Sequence, residues 1–244
     1  MKIKQLLKLL SILQRVEGRK ALLSWKPFSI TSFNLINHLK NLNFSFKTII
    51  DGGANIGQFA RAAGEAFPES KVISFEPLPN VAEKFRENLL NLSNRVQIFQ
   101  TALGRKEGYI LFHRNSHSHS SSVLELHKNH LKAFPDAQTI STLKVSVTTL
   151  DKALQKEQLP RPILLKLDLQ GYELEALHGA IKTLKIVDAI LLETSSKPMY
   201  KGEPSFKKIE TFLNKKGFRF SQNLDFLEDS RGKVLQTDVL FLKK

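Results

Sequence analysis

Three apolar runs in this chain end in an acid, and each acid leads into a turn. Thr48-Ile49-Ile50 ends in Asp51, followed by Gly52-Gly53-Ala54-Asn55-Ile56-Gly57. Val72 to Phe75 ends in Glu76-Pro77, and Ile163 to Leu167 ends in Asp168-Leu169-Gln170-Gly171. A parallel α/β sheet presents such groups at the carboxyl ends of its strands, where nucleotide-like ligands bind. Glu76 lies 19 residues after Gly57, a spacing at which an acid accepts hydrogen bonds from ribose hydroxyls. In the pattern Gly52-x-Ala54-x-x-Gly57, Ala54 replaces the middle glycine that gives a pyrophosphate room. Asp51, just before the turn, would repel a pyrophosphate but suits the amino group or a bound water of a methionine-like moiety. The expected cofactor is therefore S-adenosylmethionine rather than a dinucleotide. Gly52 and Gly53 are expected at positive φ, reversing the chain and letting backbone N–H groups approach the ligand. Gly57 is expected to let the next helix sit close to the sheet.

Asp168 should share the sheet edge of Asp51 and Glu76, and acids converging from several strand ends are hard to explain by stability alone. Lys166 is two residues earlier and points to the same side of the strand. It can pair with a carboxylate, orient a substrate hydroxyl, or act as a snorkelling lysine in an ion pair. Leu191-Leu192 ends in Glu193, a fourth strand-end acid that reads either as a base or substrate contact or as a solvated terminus. Asp168, Glu193 and Lys166 are the catalytic candidates. Glu173 falls in a first helical turn, where its charge suits the helix dipole. Asp151 reads as a cap or first-turn residue of the helix that follows it. His113, His117, His119, His127 and His130 have spacings usable by a metal, yet they lie in or beside a polar, serine-rich stretch without the helix of an H-E-x-x-H site. The reading preferred is a lid with serine donors, with a plain flexible loop as the alternative, and no metal ligand is assigned.

The elements that must position these groups alternate from about residue 46. Strands are expected at 47–51, 71–76, 96–100, 163–168, 187–193, 217–221 and 237–242, with helices at 57–67, 79–92, 149–156, 172–184 and 204–216. This order implies a doubly wound, mostly parallel sheet. Residues 109–113 and 143–148 alternate in character and suggest a hairpin-like insertion. Residues 2–20 read as a basic amphipathic helix with Ile3, Leu6, Leu7, Leu10 and Leu13 at helical spacing. Capping of the core or packing on a partner subunit is preferred for it, and lying on a membrane surface is the alternative. The domain division expected is an N-terminal helical extension at 1–45 and a catalytic domain at 46–244.

The 244 residues suit one α/β domain with embellishments, and 41% hydrophobic content supports a sizeable core. With no cysteine there is no disulfide, thiolate metal site or cysteine nucleophile. No apolar run reaches the length of a membrane-spanning helix. The net charge of +14 would attract polyanions such as nucleic acid, anionic lipid or acidic glycan. A lysine-rich solvated surface explains the same count equally well.

Taken in order, IIDGGANIGQFA, VISFEPLPN, VQIFQTALG, SSSVLEL, VSVTTLD, ILLKLDLQGYELEALHGA, AILLETS and QTDVLFL resemble the FkbM-type S-adenosylmethionine-dependent O-methyltransferases. The glycine turn with FEP is general to this cofactor class, whereas the Asp168–Ala180 segment with the preceding Thr-Thr-Leu-Asp is far more specific. The resemblance implies a Rossmann-like seven-strand methyltransferase sheet with its last strand antiparallel. It implies a cofactor site lined by Asp51, Gly52, Gly53, Ala54, Asn55, Gly57, Glu76 and Pro77, with Thr101 and Ala102 beside the adenine. Asp168 would stand near the transferring methyl, and Gln170 stands where many relatives carry Glu. The implied reaction is methyl transfer to a hydroxyl of a sugar or complex natural product. The implied setting is cytoplasmic, with the basic helix able to touch an anionic inner membrane face; a homo-oligomer is compatible. An RNA ribose methyltransferase and a non-catalytic binding module on the same sheet are the rival readings.

Overall fold

A computed structural model describes residues 9–116, 118–229 and 231–244. Its main sheet has strands β1 (Thr48–Gly52), β2 (Lys71–Phe75), β3 (Val96–Phe99), β7 (Ile163–Leu167), β8 (Ala189–Ser195), β9 (Phe218–Glu228) and β10 (Val234–Lys243). Their order is β3-β2-β1-β7-β8-β10-β9. β1 pairs in parallel with β2 and β7, β2 with β3, and β7 with β8, whereas β10 is antiparallel to both of its neighbours. The sheet is thus the doubly wound one expected, with the last strand reversed.

The strand runs are apolar at nearly every position because helices cover both faces. Ile49, Val72, Leu164 and Leu191 join the core on one face, and Ile50, Ile73, Leu165 and Ile190 join it on the other. Each fully buried side chain of this kind contributes about 1.5–3 kcal/mol. Strand order reverses at β1 and β7, so the crevice opens where Asp51, Gly52 and Asp168 emerge.

The insertion is larger than 109–113 and 143–148. β5 (Gly108–Asn115) pairs antiparallel with β6 (Thr139–Thr148), which also pairs in parallel with β4 (Ala102–Leu103). Phe112, Val145 and Val147 pack under this small sheet against Leu78, Val81 and Ala102. The insertion is thereby fixed to the β2 and β3 side of the crevice.

Several element boundaries differ from expectation for visible reasons. The helix expected at 172–184 is two helices, Glu173–His178 and Thr183–Ile186. Between them Gly179 lies against the main chain of Gly104, where a β-carbon would fall 2.1 Å from the Gly104 carbonyl oxygen. Asp151 caps the second of these helices, accepting from the Lys182 and Thr183 amides at 2.8 and 2.7 Å. Its own helix, Leu150–Ala153, is capped instead by Thr149. The helix expected at 79–92 stops at Asn88, and the strand expected at 217–221 runs on to Glu228.

Residues 2–8 of the expected N-terminal helix lie outside the described residues. Residues 9–13 are helical, the chain turns at Gln14 and Arg15, and a second helix spans Val16–Ser24. The two segments touch at Gly18, where a β-carbon would fall 2.1 Å from the Ile12 carbonyl oxygen. Ile12 and Ala21 bury against Phe33, so this segment does cap the core. Leu10, Leu13, Val16 and Leu23 remain exposed. No helix among the described residues is long and apolar enough to cross a membrane.

Candidate active site at the carboxyl edge of the sheet

The turn after β1 is built around Gly53 and Asn55, which adopt positive φ of 76° and 47°. Gly53 also passes close to β7: a β-carbon there would lie 1.9 Å from the Asp168 carbonyl oxygen. Gly52 is still part of β1, with Leu167 and Leu103 packed where its side chain would be, so only the second glycine supplies the reversal. Gly57 has φ of 96°, and a β-carbon there would meet Leu89 and Phe85. Its lack of a side chain serves the neighbouring helix Pro79–Asn88 and the residue just past it, rather than the sheet. Gly53→Ala is expected to destabilise the fold by about 2–4 kcal/mol, through strain at positive φ and displacement of Asp168. Thermal unfolding checks this; a variant within about 1 kcal/mol of the parent would show that the approach relaxes cheaply.

Every backbone N–H of this turn is already engaged within the protein. Gly53 and Ala54 both donate to the Phe75 carbonyl at 3.0 Å, and Gly57 donates to the Ala54 carbonyl at 2.9 Å. Asn55 donates to Glu76 Oε2 at 3.1 Å, and Ile56 to Asn55 Oδ1 at 2.8 Å. The expectation that these amides face a ligand is therefore not met. No free N–H cradle for a pyrophosphate exists here.

Glu76 accepts from Asn55 N–H through one oxygen and from Leu78 N–H at 3.0 Å through the other. A carboxylate oxygen can accept twice, so each retains capacity for a ribose hydroxyl. Burial pushes Glu76 up to about 7 even though these two amides favour its ionised form.

A cavity of about 590 Å³ opens over this edge. Of the expected cofactor residues, Gly53, Asn55, Glu76, Pro77, Thr101 and Ala102 line it, together with Asp168. Phe75, Leu103, Phe112 and Val123 form apolar wall, and His119, Ser121, Gln170 and Tyr172 add polar atoms. A carboxylate at one side of an apolar slot is an arrangement of a kind that suits a nucleoside.

Asp51, Gly52, Ala54, Gly57, Lys166 and Glu193 are not in the cavity wall. Strand register sets Asp51 beside Lys166, and the fully buried Asp51 Oδ1 is 2.9 Å from Lys166 Nζ. Nζ also donates to the Gly52 and Gly53 carbonyls at 3.3 and 3.2 Å and lies 3.9 Å from Asp168 Oδ2. Burial by itself would lower Lys166, but the Asp51 and Asp168 carboxylates hold it above the ordinary lysine value. Lys166 thus remains an ammonium that ties the Gly-turn to both strand-end acids.

The loop after β7 is held by Glu173. Its Oε1 accepts from the Leu169 and Gly171 amides at 2.7 and 3.2 Å. Its role is more than a favourable charge at a helix start. Burial pushes it up to about 8. Glu193 is raised well above the ordinary carboxylate range by burial and by neighbouring acids, Asp168 first among them.

The serine-rich stretch is anchored rather than a free loop. Ser120, Ser121 and Ser122 are buried, Asn115 donates to the Ser120 carbonyl at 2.6 Å, and Ser121 Oγ accepts from the Asn115 amide at 3.0 Å. Among the described residues the histidines form no group that could hold a metal. His119 lines the cavity, His127 caps the helix Lys128–Ala133, and buried His130 packs on Tyr200 and Phe134. His117 lies outside the described residues. Sequence reasoning did not anticipate Tyr200, Gln236 of β10 or the aromatic wall of Phe75 and Phe112, since their places depend on elements distant in sequence.

The chain matches the methyltransferase FkbM domain over residues 51–220. It belongs to that family. This S-adenosylmethionine-dependent methyltransferase has relatives at modest identity. It is 28% identical over 171 residues to 2-O-methyltransferase NoeI of Sinorhizobium fredii, covering 68% of this chain and 70% of the relative. It is 29% identical over 182 residues to Methyltransferase 1 of Beauveria bassiana, covering 70% and 71%. It is 26% identical over 143 residues to the hexuronic acid methyltransferase AglP of Haloferax volcanii, covering 59% and 54%. Among solved structures it is similar to the magnesium protoporphyrin IX methyltransferase of Synechocystis, with 10% identity, 88% and 78% coverage and a TM-score of 0.49.

Proposed function

We propose that this methyltransferase acts on a sugar hydroxyl, with Asp168 as the group that meets the acceptor. The observation that carries this reading is the place of Asp168. It is the one strand-end acid of the catalytic candidates that lines the cavity, and its side chain is 39% exposed. The printed activities of two relatives, a 2-O-methyltransferase and a hexuronic acid methyltransferase, support a sugar acceptor.

Bound S-adenosylmethionine supplies a methyl already activated on a sulfonium. The protein then has to hold the acceptor oxygen in line and take up its proton as transfer proceeds. An alcohol is far less acidic than a carboxylic acid, so Asp168 accepts the proton during transfer rather than forming an alkoxide beforehand. Lys166, tied to Asp51, supports the same carboxylate from beneath through its 3.9 Å approach to Oδ2. Glu76 would hold the ribose, and the wall of Pro77, Thr101 and Ala102 would hold the adenine.

The test is methyl transfer from labelled S-adenosylmethionine to a panel of methyl glycosides, neutral and uronic, with structured RNA as the parallel substrate. Label on any glycoside, removed by mild glycosidic hydrolysis into a methylated sugar, is the expected result. Label on RNA alone would replace the sugar reading with the ribose-methylase one.

A further inference from the structure

Gln170 has more polar contacts than a loop residue needs. Its backbone is in the left-handed region, at φ of 54°, and Ser122 Oγ donates to its carbonyl at 2.8 Å. Both ends of its side-chain amide are engaged. Nε2 donates to Asp168 Oδ1 at 2.5 Å and to Glu193 Oε2 at 3.1 Å. Oε1 accepts from the Tyr200 hydroxyl at 2.5 Å. Tyr200 is fully buried, and its hydroxyl also lies 3.1 Å from the Ser120 carbonyl. With Oε1 placed toward the Tyr200 hydroxyl, the NH₂ is turned to the two acids. Gln236 adds a second amide donor to Glu193 Oε2 at 2.6 Å.

Two carboxylates facing one another repel unless a proton, a cation or a hydrogen-bond donor lies between them. Here a neutral amide donor stands between Asp168 and a Glu193 that burial and Asp168 already push toward its protonated form. We infer that Gln170 is a positioning residue: its amide bridges Asp168 and Glu193, fixes Asp168 through Oδ1, and leaves Oδ2 as the oxygen for the acceptor. Tyr200 and the Ser120–Ser122 segment hold that amide in place, so the inserted small sheet is coupled to the strand-end acid by side-chain hydrogen bonds. The inference rests on the reading of Asp168 as the group that meets the acceptor. Other charged groups face the pair as well: Lys166 from β7, Asp238 from β10, and Glu173 and Glu203 from the segments following β7 and β8.

The test needs no acceptor. Carboxyl-carbon NMR titration of the intact protein follows Glu193, assigned with Glu193→Gln. Removing the donor in Gln170→Ala disfavours its ionised form, so its midpoint should rise, by about 0.5 unit or more. Tyr200→Phe should move it in the same direction by less. Gln170→Glu places a third acid between the two. Protonated, it can still donate; ionised, it repels both. Its melting temperature relative to the parent should therefore fall by about 5 °C or more between pH 5.5 and 8. A glutamine held only by packing leaves the Glu193 midpoint in place, whereas any buried glutamate at 170 would show the pH slope. A Glu193 midpoint in Gln170→Ala that moves by less than about 0.5 unit would overturn the inference. Retained binding of S-adenosylhomocysteine shows that each variant has an assembled site. Because nothing here depends on turnover, failure of this test leaves the acceptor reading intact, and loss of that reading leaves this test decisive.

Discussion

Asp168→Asn lowers kcat for methyl transfer by about 10²–10³-fold, while affinity for S-adenosylhomocysteine changes by no more than about twofold; this is the expected result for a residue acting on the acceptor. Asparagine keeps the shape and can still accept from Gln170 Nε2, so the contact to the loop survives. What it loses is an oxygen able to take a proton and the charge that lies 3.9 Å from Lys166. The split between kcat and cofactor affinity is the informative part. A fall in both would mean that the substitution has disturbed the turn, since Gly53 rests against the Asp168 main chain. Single-turnover kinetics on the glycoside that accepts methyl settles it, and a kcat within about fivefold of the parent would remove Asp168 from the chemistry.

Glu76→Gln should weaken binding of S-adenosylhomocysteine by about 10–100-fold at pH 8, measured by calorimetric titration. The amide converts one acceptor oxygen into a donor. That donor would face either the Asn55 or the Leu78 N–H, both of which now donate to the carboxylate. It also removes one acceptor from the ribose. The parent protein should show a pH dependence that the variant lacks. Burial raises Glu76 to about 7, so below that pH the carboxyl is protonated and has lost acceptor capacity. Ribose hydroxyls that donate to it favour the ionised form, and affinity should rise about tenfold from pH 6 to pH 8. A flat profile in the parent would mean that Glu76 does not contact the ribose.

Local chemistry in the chain was enough to determine much of this protein. Apolar runs ending in Asp51, Glu76 and Asp168 defined three parallel strands, because a strand covered on both faces must be apolar along its length. The glycines between Asp51 and the next helix marked the turn, since few other residues accept positive φ. Those features, with the Leu-Asp-Leu-Gln-Gly-Tyr-Glu segment, placed the chain in its family and its cofactor class. Nothing in the sequence separated Gly52, which stays in its strand, from Gly53, which makes the reversal. The close approach of the Asp168 carbonyl, just past β7, to Gly53 decided that.

The tertiary structure also divided the acids by task. In sequence Asp51, Glu76, Asp168 and Glu193 are all strand-end carboxylates, the first two read toward the cofactor and the last two toward the chemistry. Register pairs Asp51 with Lys166 and buries it, the turn amides fix Glu76, and the Gln170 amide joins Asp168 to Glu193. Spacing along the chain could not reveal this, because the deciding partners are distant in sequence: Lys166 for Asp51, Asn55 for Glu76, and Glu193 and Tyr200 for the two ends of the Gln170 amide. Periodicity and glycine chemistry are local and can be read from neighbours. Which carboxylate keeps an oxygen open to the cavity depends on which donors the fold brings to the others.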